Sequence, residues 1–278
     1  MNFKNLTDNE VNALAPHTFK YSIPIMQYYG RDKSSVGSGT LIKIGSRFLI
    51  ATAGHNLVGV PDDCLYYVPS KKMIYDQPPF IRRNPLANSS DPGEADVGYI
   101  EIPSEIAISI EEREFLPLNR IRPFIVTWPT RVFLTGFPAE MVPIELATKN
   151  KFILSAIGYL TEIRKPNQQR DDSMDIIVDY EPTSVLVERP NGWKMPNPRG
   201  ISGGGLWALP LAGRTELWNP DDTTLIGIEK SWLETSNCVR CTQIQHWLKL
   251  VANDFPDLAE IIDEHLQSRE NCHDLFGG

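Results

Sequence analysis

The chain has 278 residues, 27 of them Lys or Arg and 35 Asp or Glu, for a net charge of −8 at neutral pH. Its 41% hydrophobic and 22% charged residues are ordinary for a soluble globular protein with a sizeable core, and the acidic balance argues against a general nucleic-acid surface. No apolar run approaches the roughly 18 residues that span a bilayer, so no membrane partner is expected, and the first residues, Met1 to Asp8, lack the basic-then-apolar pattern of a signal peptide.

Residues 1–18 read as an N-terminal extension in which Thr7-Asp8-Asn9-Glu10 caps a helix running to about Leu14 and stopping before Pro16. From Phe19 the texture changes to strands. Phe19 to Tyr29 is rich in Tyr and Ile. Gly37 to Ile44 and Phe48 to Ala53 flank the turn Gly45-Ser46-Arg47 and predict a hairpin that ends in Gly54-His55-Asn56. Cys64 to Ser70 and Met73 to Ile81 are further strand candidates. Asn84 to Glu94 is a loop rich in Pro, Asn, Ser and Gly, and Ala95 to Ile102 opens another strand with Asp96 at its start.

The pattern weakens from Pro103 to Pro129, the expected crossover between two halves. Strands resume at Arg131 to Phe137, Lys151 to Ile163 and Met174 to Tyr180. A long connection, Ser184 to Pro198, delivers the chain to Gly200-Ile201-Ser202-Gly203-Gly204-Gly205. Leu206 to Leu211, Thr223 to Trp232 and Val239 to Thr242 are the last strands. Gln243 to Ala252 carries a helical stripe of Ile244, Trp247, Leu248 and Val251, and Leu258 to Leu266 reads as a second helix. Many short strands, with helix mainly at the chain ends, predict an all-β sandwich or barrel.

The four cysteines, Cys64, Cys238, Cys241 and Cys272, do not form the spacing of a dense disulfide framework. A reducing, cytoplasmic location fits them best. Cys238 and Cys241 with Cys272-His273 are the one candidate zinc set. The second pair is adjacent and near the chain end, an awkward geometry for a closed site, so neither metal nor other cofactor is expected.

Ser202 lies between glycines, which let the backbone turn sharply and bring bare N–H groups beside a hydroxyl. Acyl transfer needs that combination of a nucleophile and an oxyanion site. His55 at a strand end and Asp96 at a strand start are the other two groups that stand out. A serine hydroxyl needs a base within hydrogen-bond reach, and imidazole titrates in the right range.

Gly37-Ser38-Gly39-Thr40 and Leu49-Ile50-Ala51-Thr52-Ala53-Gly54-His55 resemble the glycine and histidine strands of trypsin-like serine peptidases. Asp96-Val97-Gly98-Tyr99-Ile100 resembles that family's aspartate motif, and Gly200-Ile201-Ser202-Gly203-Gly204 its nucleophile motif. The likeness covers roughly residues 19–253 and implies two six-stranded antiparallel β-barrels with a C-terminal helix. Residues 19–118 would form the barrel with His55 and Asp96, 119–242 the barrel with Ser202, and 243–278 a helical tail. It further implies a serine endopeptidase acting on protein or peptide substrates. His55 would be the base, Asp96 its orienting partner, Ser202 the nucleophile, and the N–H groups of Gly200 and Ser202 the oxyanion hole. Pro196 and Asn197, with Glu229, Lys230 and Ser231, would line the primary substrate pocket.

Two features depart from digestive members of the family. Ile201 stands where an aspartate pairs with a newly cut N-terminus, so no activation of that kind is expected, and the flanking half-cystines are missing. Control by a regulatory protein partner stays open. So do three other readings. One is a catalytically silent protease-like scaffold or binding module. Another is the Gly-x-Ser-x-Gly elbow of α/β-hydrolases, with Asp221 and His246 as partners. In the third, Asp91 or Glu94 takes the place of Asp96.

Overall fold

A computed structural model of the chain describes residues 8–28, 34–61, 65–67, 81–86, 95–110, 113–123, 131–141, 155–164, 174–180, 195–209 and 219–270. Helix α1, Asp8–Phe19, runs through Pro16 instead of stopping before it. Pro16 removes one backbone donor, but Leu14 is fully buried in the core, and the buried Thr18 hydroxyl donates to the Leu14 carbonyl at 2.9 Å. Packing and a side-chain bond carry the helix past the proline.

The first sheet contains β1 (Ser22–Tyr28), β2 (Ser34–Ile44), β3 (Arg47–Thr52), β4 (Leu65–Tyr67), β5 (Ile81–Leu86), β6 (Val97–Ile102) and β7 (Leu116–Pro117). Among the described residues it has the order β4-β1-β2-β3-β6-β5, antiparallel throughout, with the two-residue β7 pairing parallel to β2 as a seventh strand where six are expected. Gly45, at φ +56, turns β2 into β3. β5 includes Asn84 and Pro85, expected in a loop. It is an edge strand whose pairing breaks between Arg83 and Leu86, so the proline is asked for no ladder bond. The expected strand at Met73 to Ile81 lies outside the described residues except for Ile81. In the predicted crossover, residues Ser104–Ser109 form a short helix, α2.

The second sheet contains β8 (Arg131–Gly136), β9 (Ile157–Glu162), β10 (Asp175–Asp179), β11 (Gly205–Ala208), β12 (Thr224–Leu233) and β13 (Cys238–Gln243), in the antiparallel order β10-β13-β12-β11-β8-β9. Two helices follow, α3 (Ile244–Asp254) and α4 (Pro256–Glu270). The described residues contain no helix long and apolar enough to cross a membrane.

Strand alternation divides the apolar residues among three cores. Ile23, Ile25, Leu41, Ile50 and Ile100 fill the first sheet, and Val132, Leu134, Ile176, Leu206 and Val239 the second. Their neighbours Ile42, Leu49, Ala51, Tyr99, Phe133 and Trp207 point the other way, into a core shared by both sheets and covered by Trp247, Leu248 and Val251 of α3. Two hydrogen bonds fasten α3 to β6: Trp247 Nε1 donates to Gly98 O at 3.0 Å, and Tyr99 Oη to Asp254 Oδ2 at 2.7 Å. Helix α3 thus holds the strand that begins just after Asp96.

Candidate active site

β3 is buried over its last four residues and delivers the chain into a single 3-10 turn, Gly54–Asn56. His55 Nδ1 lies 2.6 Å from Asp96 Oδ2, and the His55 backbone N–H donates to Asp96 Oδ1 at 2.9 Å. Both carboxylate oxygens are therefore spent on one residue. Asp96 is fully buried, whereas about a third of the His55 side chain is exposed. Burial opposes the charge on His55, but the hydrogen bond and charge of Asp96, joined by Glu229, outweigh it and hold the imidazole above its usual pKa of 6.5. With Nδ1 on the carboxylate, Nε2 is left to exchange a proton with solvent or a neighbour.

The serine turn is tied to the histidine turn through the Ser202 backbone. The Ser202 carbonyl accepts from the Ser38 N–H at 2.7 Å and from Asn56 Nδ2 at 2.8 Å, and Asn56 adjoins His55. Asn56 Nδ2 also donates to Thr52 Oγ1 at 3.0 Å, and that hydroxyl donates to Ser38 O at 2.7 Å. Ser38 Oγ accepts from Phe137 N and donates to Gly200 O, both at 2.8 Å. Ser38, Thr52 and Asn56 therefore tie β2, β3, the histidine turn and the end of β8 to the serine turn. The sequence reading assigned none of them a role. The available signals were the serine between two glycines and the asparagine directly after the histidine.

The turn is built tightly. Gly203 has φ +91, and a Cβ there would sit 1.9 Å from Ser38 O; Gly200 has φ +95. Ala139 N donates to Arg199 O at 2.8 Å, and Gly204 N to Ile201 O at 2.7 Å. In a trans peptide the N–H points opposite to the C=O, so these two bonds fix the directions of the Gly200 and Ser202 N–H groups. Neither N–H has an acceptor among the described residues. Ile201 is fully buried in the core of the second sheet.

Tyr180 Oη donates to the carbonyl of the buried Pro196 at 2.8 Å. Asn197 is half-buried; its N–H donates to Glu140 at 2.9 Å and its side chain accepts from Arg199 N at 2.9 Å. On β12 the pairing with β13 skips Lys230, a one-residue bulge between Glu229 and Ser231. Lys230 is 1% exposed and its ammonium lies 2.8 Å from the buried Asp175. Its charge is thus engaged inside the second sheet, whereas the resemblance implies a place lining the substrate pocket. Ser231 is half-buried and accepts from Arg240 Nε at 3.0 Å. Glu229 is also 1% exposed, and its carboxyl is hydrogen-bonded by the Ser202 side chain.

Gly205 begins a strand and the sheet is antiparallel, which removes the α/β-hydrolase elbow. Asp221 instead meets Arg120 and His17. Asp91 and Glu94 lie outside the described residues. Cys238 and Cys241 are buried free thiols, and Cys64, Cys272 and His273 lie outside the described residues.

No family model and no curated protein sequence matches the chain. Among solved structures it is similar to the inactivated protease paralogue S-I1 of the scabies mite, with a TM-score of 0.54 and 11% identity over 86% of this chain and 97% of that one. It is also similar to a serine endoprotease from Yersinia pestis, with a TM-score of 0.50 and 12% identity over 87% of this chain and 65% of that one. At such identities the likeness concerns the fold, and the fold is that of the trypsin-like serine proteases.

Proposed function

We propose that the protein is a serine endopeptidase that cleaves protein or peptide substrates through His55, Asp96 and Ser202. The observation that carries this reading is the 2.6 Å contact of a buried Asp96 with His55, beside a serine turn tied to Asn56. In this mechanism Ser202 Oγ attacks the substrate carbonyl carbon and its proton passes to His55 Nε2. Asp96 stabilises the resulting imidazolium. The carbonyl oxygen becomes an oxyanion, received by the N–H groups of Gly200 and Ser202. Collapse expels the amine, which takes the proton from His55, and leaves an acyl-enzyme. Water, deprotonated by His55, then releases the acid and restores Ser202. The buried free thiols Cys238 and Cys241 suit a reducing compartment, and cytoplasmic placement is part of the proposal.

A catalytically silent binding module is the second reading. It is favoured by the hydrogen bond between the Ser202 side chain and Glu229, and by the word "inactivated" in the name of the scabies mite protein. A fluorophosphonate probe separates the two. The native protein should be labelled, Ser202→Ala should take no label, and His55→Ala should lose on the order of 10⁴-fold or more in rate. Native protein without label at any pH, or label that persists in Ser202→Ala, refutes the peptidase reading.

A further inference from the structure

Glu229 is the member of this site that His–Asp–Ser chemistry does not use. The strand leading to it is apolar, with Ile226 and Ile228 buried, and an apolar residue would fill the position at no electrostatic cost. The backbone of Glu229 is locked to the serine turn: its N–H donates to Gly204 O and its carbonyl accepts from Gly203 N, both at 2.8 Å. The bulge that carries Lys230 off to Asp175 leaves Glu229 at the turn. Its carboxyl is buried, Oε2 has no hydrogen-bond partner among the described residues, and the Ser202 side chain hydrogen-bonds to it. The charged and titratable groups around it are His55 and Asp96 beside the first sheet, Arg240 and Cys241 on β13, and Tyr180 after β10.

A hydroxyl has one proton to donate, and an ionised carboxylate only accepts. Ionised Glu229 therefore holds the Ser202 proton away from His55. Neutral Glu229 has an O–H of its own, which it can donate to the Ser202 oxygen, and the Ser202 proton is then free for the imidazole. We propose that Glu229 is a fourth residue of the active site, whose charge sets whether the Ser202 proton is available to His55. The inference rests on the peptidase reading. Burial pushes the Glu229 carboxyl up to about 8, with His55 and the Ser202 hydroxyl pulling it down, Asp96 pushing it up and Arg240 pulling it down. The neutral, permissive form thus prevails at neutral pH and is lost as pH rises through about 8. His55 sets the opposite limb, since it must be neutral to act as base and its pKa lies above 6.5.

Two measurements test this together. The first is the rate of fluorophosphonate labelling of Ser202 against pH, in native protein and in Glu229→Gln. The second, independent of activity, is the ¹³C NMR titration of the Glu229 carboxyl in native protein and in Ser202→Ala. Native labelling should fall above pH 8 by about tenfold per unit, and Glu229→Gln should remove that fall. Ser202→Ala, which deletes the donor to the carboxylate, should move the Glu229 midpoint upward. Native and Glu229→Gln profiles that coincide up to pH 10 overturn the inference while leaving the peptidase reading in place. An unmoved midpoint in Ser202→Ala overturns it whether or not the protein is active. A shifted midpoint with no labelling in either protein removes the peptidase reading, and with it the role of Glu229 in reactivity.

Discussion

Replacing Glu229 with Gln measures what a buried carboxyl costs this fold. In the unfolded chain the group titrates at its ordinary 4.5, whereas in the folded protein burial raises it to about 8. The folded state therefore holds the proton more tightly than the unfolded state. Below pH 4.5 both are protonated and nothing is lost; stability then falls as pH rises and levels off once pH has passed about 8. At roughly 1.4 kcal/mol per pH unit, the full penalty reaches about 5 kcal/mol, comparable to the whole net stability of many domains. Glutamine keeps the size of the side chain and cannot ionise. Urea unfolding followed by tryptophan fluorescence at pH 5, 7 and 9 should give nearly equal stabilities for the two proteins at pH 5. A gap of several kcal/mol in favour of the variant should open by pH 9. A gap that is the same at all three pH values refutes the reasoning, because it means that Glu229 titrates alike in both states.

Two further substitutions probe the frame around the site. Ser38→Ala leaves Gly200 O and Phe137 N without their buried partner. At about 1–3 kcal/mol per orphaned group it should lower stability by about 2–6 kcal/mol. It should also slow Ser202 labelling more than tenfold at 20 °C, where the protein stays folded; a rate within twofold of native shows that Ser38 does not position the turn. Lys230→Met removes the ammonium 2.8 Å from Asp175, an expected loss of about 3–5 kcal/mol in thermal unfolding, and Lys230→Met with Asp175→Leu should recover most of it. A double variant no more stable than the single one refutes the ion-pair account.

The parts of the fold legible in the sequence are those written in short-range patterns. The β2–β3 hairpin, the strand after Asp96, the serine turn and the stripe of α3 each depend on residues within a few positions of one another. What escaped depends on distant partners. Nothing near Pro16 announces that Leu14 will be buried against distant strands and hold a helix through it, and nothing near Pro85 says that its strand will lie at a sheet edge. The same holds within the site. His55, Asp96 and Ser202 stand out by turn and strand context, whereas Ser38 acquires its place from Gly200, 162 residues away. The surroundings of Glu229 and Lys230 were beyond reach because a single bulged residue reverses which side of a strand faces inward. Its position is set by the pairing of β12 with β13, not by either strand alone.

The fastening of α3 to β6 also has a consequence in time. Gly98 and Tyr99 leave the ribosome well before their partners, which follow 149 and 155 residues later. At 5–20 residues per second, that interval is about 7–30 s. Throughout it, the strand that follows Asp96 lacks its clasp, although Ser202 is already synthesised for the last part of the wait. The strand next to Asp96 is therefore clasped only once α3 has been synthesised, so the first sheet must hold that strand by its own pairing until then.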